Sequence, residues 1–287
     1  MKVLVTGATG TLGSEVVRQL SSPGITIRAA IHTPEKGLKV KGKGIETVPF
    51  SYDDRASLHD ALTGVDKLFL LTPVALNMVE QIKSVLNEAK LAGVRHIVRQ
   101  SALGSQFGET VLQRLHLAAE KEIEASGIPF TILRPNFFMQ NYLTYPARNG
   151  IYYLPLGTAR ISVVDVRDIA SVAVKALRGK GHEGRFYPIT GPDAITAAEA
   201  VALISKASGG HFMYIDTPPK EARSGMLAGG FPEWLADALL ELYAWARAGK
   251  MAEVFNTVES VTGKKPHSFA RFCKDHVKQF KGAAQAA

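Results

Sequence analysis

The chain has 287 residues, 46% apolar and 21% charged, a balance that fits one large globular domain or two intimate ones and excludes a disordered or fibrous chain. Its formal charge of +8 invites a nucleic-acid partner, but the lysines and arginines are scattered apart from one local cluster, so none is expected. The lone cysteine, Cys273, rules out an intrachain disulfide or cysteine metal cluster and makes a reducing, cytoplasmic setting the default, and no apolar run reaches the roughly 18–20 residues of a membrane helix.

In chain order, Lys2 to Thr6 reads as a buried strand that leads straight into a glycine-rich turn, with no room before it for a signal peptide. Leu12 to Leu20 is a helix, Thr26 to Ile31 a strand, Asp54 to Leu62 a helix and Lys67 to Leu71 a strand. Met78, Ile82, Val85, Leu86 and Ala89 recur at helical spacing up to Gly93, a residue suited to a helix end. His96 to Arg99 is a strand, Thr110 to Ser126 a long polar-faced helix, and Phe130 to Leu133 a strand stopped by Pro135. This alternation predicts an α/β protein with a parallel sheet covered by helices on both faces. After Asn136 the rhythm changes and aromatics cluster at Phe137, Phe138, Tyr142, Tyr145, Tyr152 and Tyr153. Ile161 to Val164 and Arg185 to Ile189 read as strands, and Asp168 to Leu177, Thr196 to Ser208 and Pro232 to Ala248 as helices. Residues 1–190 are expected to form the sheet domain. Residues 191–287 are expected to form a smaller mixed lobe over it, with 136–160 contributing to the pocket between them.

The strongest local signal is Val5-Thr6-Gly7-Ala8-Thr9-Gly10-Thr11-Leu12-Gly13, set between a strand and a helix. One glycine permits the sharp turn, the next lets main chain approach a pyrophosphate, and the third lets the helix pack close to the sheet. The helix N-terminus then offers free N–H groups and a positive dipole end. Gly7, Thr9, Gly10, Thr11, Leu12 and Gly13 are therefore candidate dinucleotide contacts, the competing reading being a tight turn with no ligand. The end of the second strand bears on which dinucleotide. NAD-binding folds usually place a carboxylate there for the ribose 2′-OH, but this segment reads Ile31-His32-Thr33-Pro34-Glu35-Lys36, with further lysines at 39, 41 and 43. His32 and Lys36 are candidate partners for a 2′-phosphate, so NADP(H) is favoured over NAD(H).

The turn at Thr6 to Gly13 resembles that of the atypical short-chain dehydrogenases, in particular the NmrA-like family. The same resemblance extends through His116 to Lys121, Ser126 to Asn141, Val164 to Ala170 and Val261 to Pro266, and so spans nearly the whole chain. It is closest to the branch of quinone, triphenylmethane-dye and azo-dye reductases. The resemblance implies a Rossmann, doubly wound sheet in the order 3-2-1-4-5-6, NADP(H) as cofactor, and a substrate held between the sheet's carboxyl edge and the small lobe. Many members carry arginine where His32 stands, which leaves the 2′-phosphate with a weaker partner here. Ser101 stands where the family places a polar residue near the nicotinamide.

Short-chain dehydrogenases ordinarily protonate an alkoxide with a tyrosine four residues before a lysine. No tyrosine here has that spacing; Tyr243 with Arg247 is the nearest case. His116 and Glu120 occupy the corresponding helix, four apart on one face, as a proton relay or as an ordinary helix-surface pair. Two functions fit. In the first, a flavin-free reductase transfers hydride directly from NADPH to an aromatic acceptor such as a quinone or azo dye, whose delocalisation lessens the need for an acid. In the second, a protein senses NADP(H) without turnover. Phe137, Phe138, Tyr142, Tyr152 and Tyr153 are the candidate substrate pocket, with core packing as the alternative for each. At the other strand ends, Thr72 and Pro73, Ser101, and Asn136 are candidate cofactor or catalytic contacts, as is Lys121 if it faces the sheet edge. The histidine spacing suggests no metal. The expected partner is a small aromatic molecule, bound by a monomer or homodimer.

Overall fold

A computed structural model describes residues 1–37, 40, 42–144 and 150–285; of residues 34, 36 and 282–285 it describes the backbone alone. Lys39, Lys41 and Tyr145, and the side chain of Lys36, lie outside the described residues.

The first half alternates β1 (Lys2–Val5), α1 (Thr11–Leu20), β2 (Thr26–Ile31), α2 (Pro34–Gly37), β3 (Ile45–Pro49), α3 (Arg55–Leu62), β4 (Lys67–Leu70), α4 (Met78–Leu91), β5 (Ile97–Gln100), α5 (Val111–Ala125) and β6 (Phe130–Pro135). The second half holds α6 (Asn141–Thr144), β7 (Ile151–Leu154), α7 (Val166–Arg178), β8 (Arg185–Ile189), α8 (Ala197–Ser208), β9 (Met213–Asp216), α9 (Pro219–Ala228), α10 (Glu233–Arg247), α11 (Thr257–Thr262), α12 (Phe269–Asp275) and α13 (Val277–Gln285). Seven strands form one parallel sheet in the order β3-β2-β1-β4-β5-β6-β8, and β7 pairs with β9 in a small parallel sheet of its own. Strand order reverses at β1, which lies between β2 and β4; in such sheets the crevice beyond that reversal holds the ligand.

Period-2 alternation explains the two faces. Val3, Val5, Ile27, Ala29, Phe69, Val98 and Leu133 face α1 and α7, while Leu4, Leu68, Leu70, Ile97 and Ile132 face α3, α4 and α5. With both faces covered, the central strands are apolar throughout, which makes them easy to recognise. Helix starts are fixed by side-chain caps at Asp54, Thr110, Asp165 and Thr196; those of α5 and α8 are full capping boxes. A third apolar cluster, including Tyr142, Tyr152, Phe212, Trp245, Phe269 and Phe272, is the core of the smaller lobe.

Two expectations change, and one strand is new. Ile161 to Val164 is not a strand but two isolated bridges, Phe138 with Val164 and Ile161 with Ile195. The segment sends Ile161 and Val163 into the lobe core and Val164 into the sheet core, so it joins the two rather than extending either. β3 is an edge strand with no fully buried residue, which hides its alternation. The boundary at residue 190 is crossed both ways: Val258 of α11 packs in the sheet-domain core, and Met139 to Val163 supply much of the lobe core.

Candidate functional site

The turn between β1 and α1 has the shape its glycines predict. Gly7 takes φ +61°, and a Cβ there would stand 2.9 Å from Leu71 Cδ2. Gly13 is the tightest position: a Cβ would fall 2.1 Å from the Gly7 carbonyl oxygen, so helix and turn touch main chain to main chain. Gly10 has no such neighbour, its nearest contact being the Gly7 oxygen at 3.3 Å, and it is exposed. Its lack of a side chain therefore serves whatever approaches from outside. Gly10 is the N-cap of α1 and gives no side-chain cap; the first helical bond runs from the Ser14 amide to the Gly10 carbonyl. The amides of Thr11, Leu12 and Gly13 precede it and remain free for an anion. Leu12 offers only main chain, because its side chain is in the core.

Around this turn stand the ends of the other strands. Thr6 receives the Leu71 amide on its hydroxyl at 2.8 Å and donates to the Leu71 carbonyl at 3.0 Å, binding β1 to the end of β4. Tyr52 donates to the same carbonyl at 2.6 Å, and burial pushes its hydroxyl pKa up to about 12. Thr72 is buried and Pro73 exposed. His32 is exposed at the end of β2, with Glu35 also exposed beyond it. The loops leaving β4 and β5 carry exposed apolar side chains, Val74, Leu76 and Phe107, that sequence reasoning missed.

Beneath the edge lies a buried ionic cluster. Glu120 is fully buried and accepts hydrogen bonds from Ser101, from Ser105 at 2.7 Å, and from Arg134 at 2.6 and 3.1 Å. Burial works against its charge, but Arg134 and the two hydroxyls outweigh burial and hold the carboxyl below its usual range. Arg134 also sits 4.5 Å over the Phe186 ring. Arg99, also fully buried, turns its guanidinium to Nδ1 of His116 at 3.3 and 3.4 Å and to the Met78 sulfur at 3.7 Å. Burial first, and Arg99 second, push the His116 pKa down to about 3, so the ring is neutral at working pH.

These contacts correct several expectations. His116 and Glu120 share a face of α5, but that face is buried and each turns to a different arginine, so they are neither a surface pair nor a proton relay to one another. Ser101 spends its hydroxyl on Glu120 inside the protein. Asn136 donates to Ser162 at 2.8 Å and to the Met251 carbonyl at 3.0 Å, and accepts from the Phe137 amide. These bonds tie the end of β6 to the lobe. Lys121 is exposed, away from the buried side of α5. Tyr142 and Tyr152 are lobe core, packed ring to ring at 5.9 Å, while Tyr153, the next residue along β7, is 48% exposed on the other face. Among the described residues of the aromatic set, only Phe137 and Phe138 are half-buried near the strand ends. Arg99 and Arg134 were missed; the one signal was a cation near the end of each of two apolar strands.

A carboxyl-edge crevice, a glycine turn with free amides and this strand order define a dinucleotide-binding α/β fold. The chain belongs to the NmrA-like family, whose model matches residues 1–275. An NAD(P)H azoreductase of Xenophilus azovorans is 39% identical over 286 residues, covering 98% of this chain and 100% of that one. A (4-alkanoyl-5-oxo-2,5-dihydrofuran-3-yl)methyl phosphate reductase of Streptomyces griseus is 37% identical, covering 97% and 99%. Among solved structures, the Escherichia coli NADPH-dependent quinone oxidoreductase in complex with NADPH superposes with a TM-score of 0.85 at 29% identity, covering 96% and 99%.

Proposed function

We propose that this NAD(P)H-dependent reductase uses NADPH and passes hydride directly to a conjugated, electron-poor acceptor, an aromatic quinone or azo compound being the leading class. The observation that carries the reading is the bare-amide turn at Gly7 to Gly13, where the residues present fit a dinucleotide pyrophosphate. NADP(H), when bound, supplies the hydride; the chain would hold the phosphates on the main-chain N–H groups of Thr11, Leu12 and Gly13. NADPH over NADH is supported by exposed His32 and the absence of a carboxylate at the end of β2. Exposed Val74, Leu76 and Phe107, with half-buried Phe137 and Phe138, offer apolar surface to a flat acceptor. The compounds that the relatives' names print, azo, quinone and unsaturated furanone, can each spread an incoming electron pair, which supports an acceptor of that kind.

The second reading, a dinucleotide sensor without turnover, draws support from the way Ser101, Asn136 and Glu120 are all committed inside the protein. Mixing the protein with NADPH or NADH and a panel of quinones, azo dyes and unsaturated lactones separates the two. The reductase reading expects acceptor-dependent loss of the reduced-nicotinamide absorbance, faster with NADPH. Tight dinucleotide binding with no oxidation across the panel would leave the sensor.

A further inference from the structure

His116 has a chemistry that an isolated histidine lacks. A guanidinium has only donors, so the nitrogen that meets Arg99 must accept, and the ring proton is confined to Nε2. Arg99 sits in β5 one residue before its end, so His116 lies at the level of the sheet's carboxyl edge. The residue as a whole is 7% exposed, and Nε2 has no hydrogen-bond partner among the described residues. Among the described residues Arg99 bonds to no carboxylate and feels Glu120 only through space: its contacts are the imidazole and a thioether, and its Nε finds no acceptor. Glu120, the carboxylate on the next turn of α5, spends its oxygens on Ser101, Ser105 and Arg134. A buried cation therefore backs a neutral imidazole whose one N–H is unspent.

We propose that His116 is a catalytic hydrogen-bond donor to the acceptor, a neutral imidazole fixed as the Nε2–H form by Arg99, which steadies negative charge arriving on the substrate. The proposal rests on the reductase reading above. Hydride delivery oxidises NADPH to NADP⁺ and leaves the acceptor with two more electrons and one hydrogen, hence as an anion such as a hydroquinone monoanion or hydrazine anion. The His116 N–H bonds that anion without surrendering its proton, and water supplies the second proton. A preorganised donor of this kind acts where charge develops and needs no titration near neutrality.

The test uses the full-length protein in three measurements. Nitrogen NMR of histidine-labelled protein should show one ring with its proton on Nε2 and no titration between pH 5 and 9, a signal lost in His116→Gln. Binding of 4-nitrophenolate, a stable anion, to the NADP⁺-loaded protein should weaken severalfold in His116→Ala and recover partly in His116→Gln, which keeps an N–H. In turnover, His116→Ala should lower kcat roughly ten- to a hundredfold, at or below the ~10²–10³ loss for a full oxyanion donor because these acceptors delocalise charge, with KM little changed. A ring that titrates near 6.5 or carries its proton on Nδ1 would overturn the proposal, as would unchanged phenolate binding and kcat in His116→Ala. Wild-type protein that oxidises no NADPH would instead sink the reductase reading, which the NMR and phenolate measurements do not depend on.

Discussion

Gly10 and Gly13 differ by three residues and should fail in different ways. Alanine at Gly13 puts a methyl 2.1 Å from the Gly7 oxygen and 2.6 Å from its carbonyl carbon, where ordinary contact needs more than 3 Å. Both obstacles are main chain, so no rotamer relieves the clash and α1 must move by about 1 Å from the turn. Overpacking of this kind costs about 1–3 kcal/mol, and the displaced amides no longer converge on one anion. Alanine at Gly10 meets only the Gly7 oxygen at 3.3 Å and otherwise faces solvent, so the fold should tolerate it. Its methyl stands instead where a pyrophosphate would rest. Losing one charge-assisted hydrogen bond, about 1.5–3 kcal/mol, weakens affinity roughly ten- to a hundredfold. Calorimetric titration with NADPH and thermal unfolding should therefore show Gly10→Ala binding poorly at near-native Tm, and Gly13→Ala losing both. Gly10→Ala that binds NADPH like the native protein would refute the placement of the phosphates.

Other consequences follow from the buried polar groups and the rim. Glu120→Gln leaves Arg134 without its counter-charge and should cost about 3–5 kcal/mol in denaturant unfolding; full native stability would mean the pair is not formed. Glu120 and Asp165 both titrate below their usual range in the folded protein, so they favour folding above the ordinary carboxylate pKa, and that contribution fades as pH falls through their folded values. Acid unfolding should accordingly shift to higher pH in an Asp165→Asn variant. Asn136→Ala should lower Tm by removing two donors from buried acceptors, at about 1–3 kcal/mol, while KM for the dinucleotide stays within severalfold; a large KM change with unchanged Tm would restore Asn136 to the binding site. Leu76→Ser and Phe107→Ser should raise KM for apolar acceptors without altering NADPH affinity, measured by steady-state kinetics.

The sheet was legible because β1, β4, β5 and β6 are covered on both faces and read as unbroken apolar runs, and because Thr110, Thr196 and Asp54 announce their helices. The glycine spacing gave the turn, and the steric record at Gly13 explains why. The aromatic run was harder, since Tyr152 and Tyr153 are neighbours in sequence and opposites in space, and an aromatic is as much at home in a core as in a pocket. Four-residue spacing placed His116 and Glu120 on one face but could not tell whether that face was wet. Their partners come from β5 and β6, 17 and 14 residues away, and only tertiary packing brings those cations under the helix.

Single-turnover kinetics with flavin-free protein and NADPH deuterated at the transferred position of C4 tests the central step most directly. Direct hydride transfer predicts oxidation on mixing with a quinone or azo acceptor, slowed by the deuterium. Oxidation that appears only after flavin is added, or none with any acceptor, would contradict it.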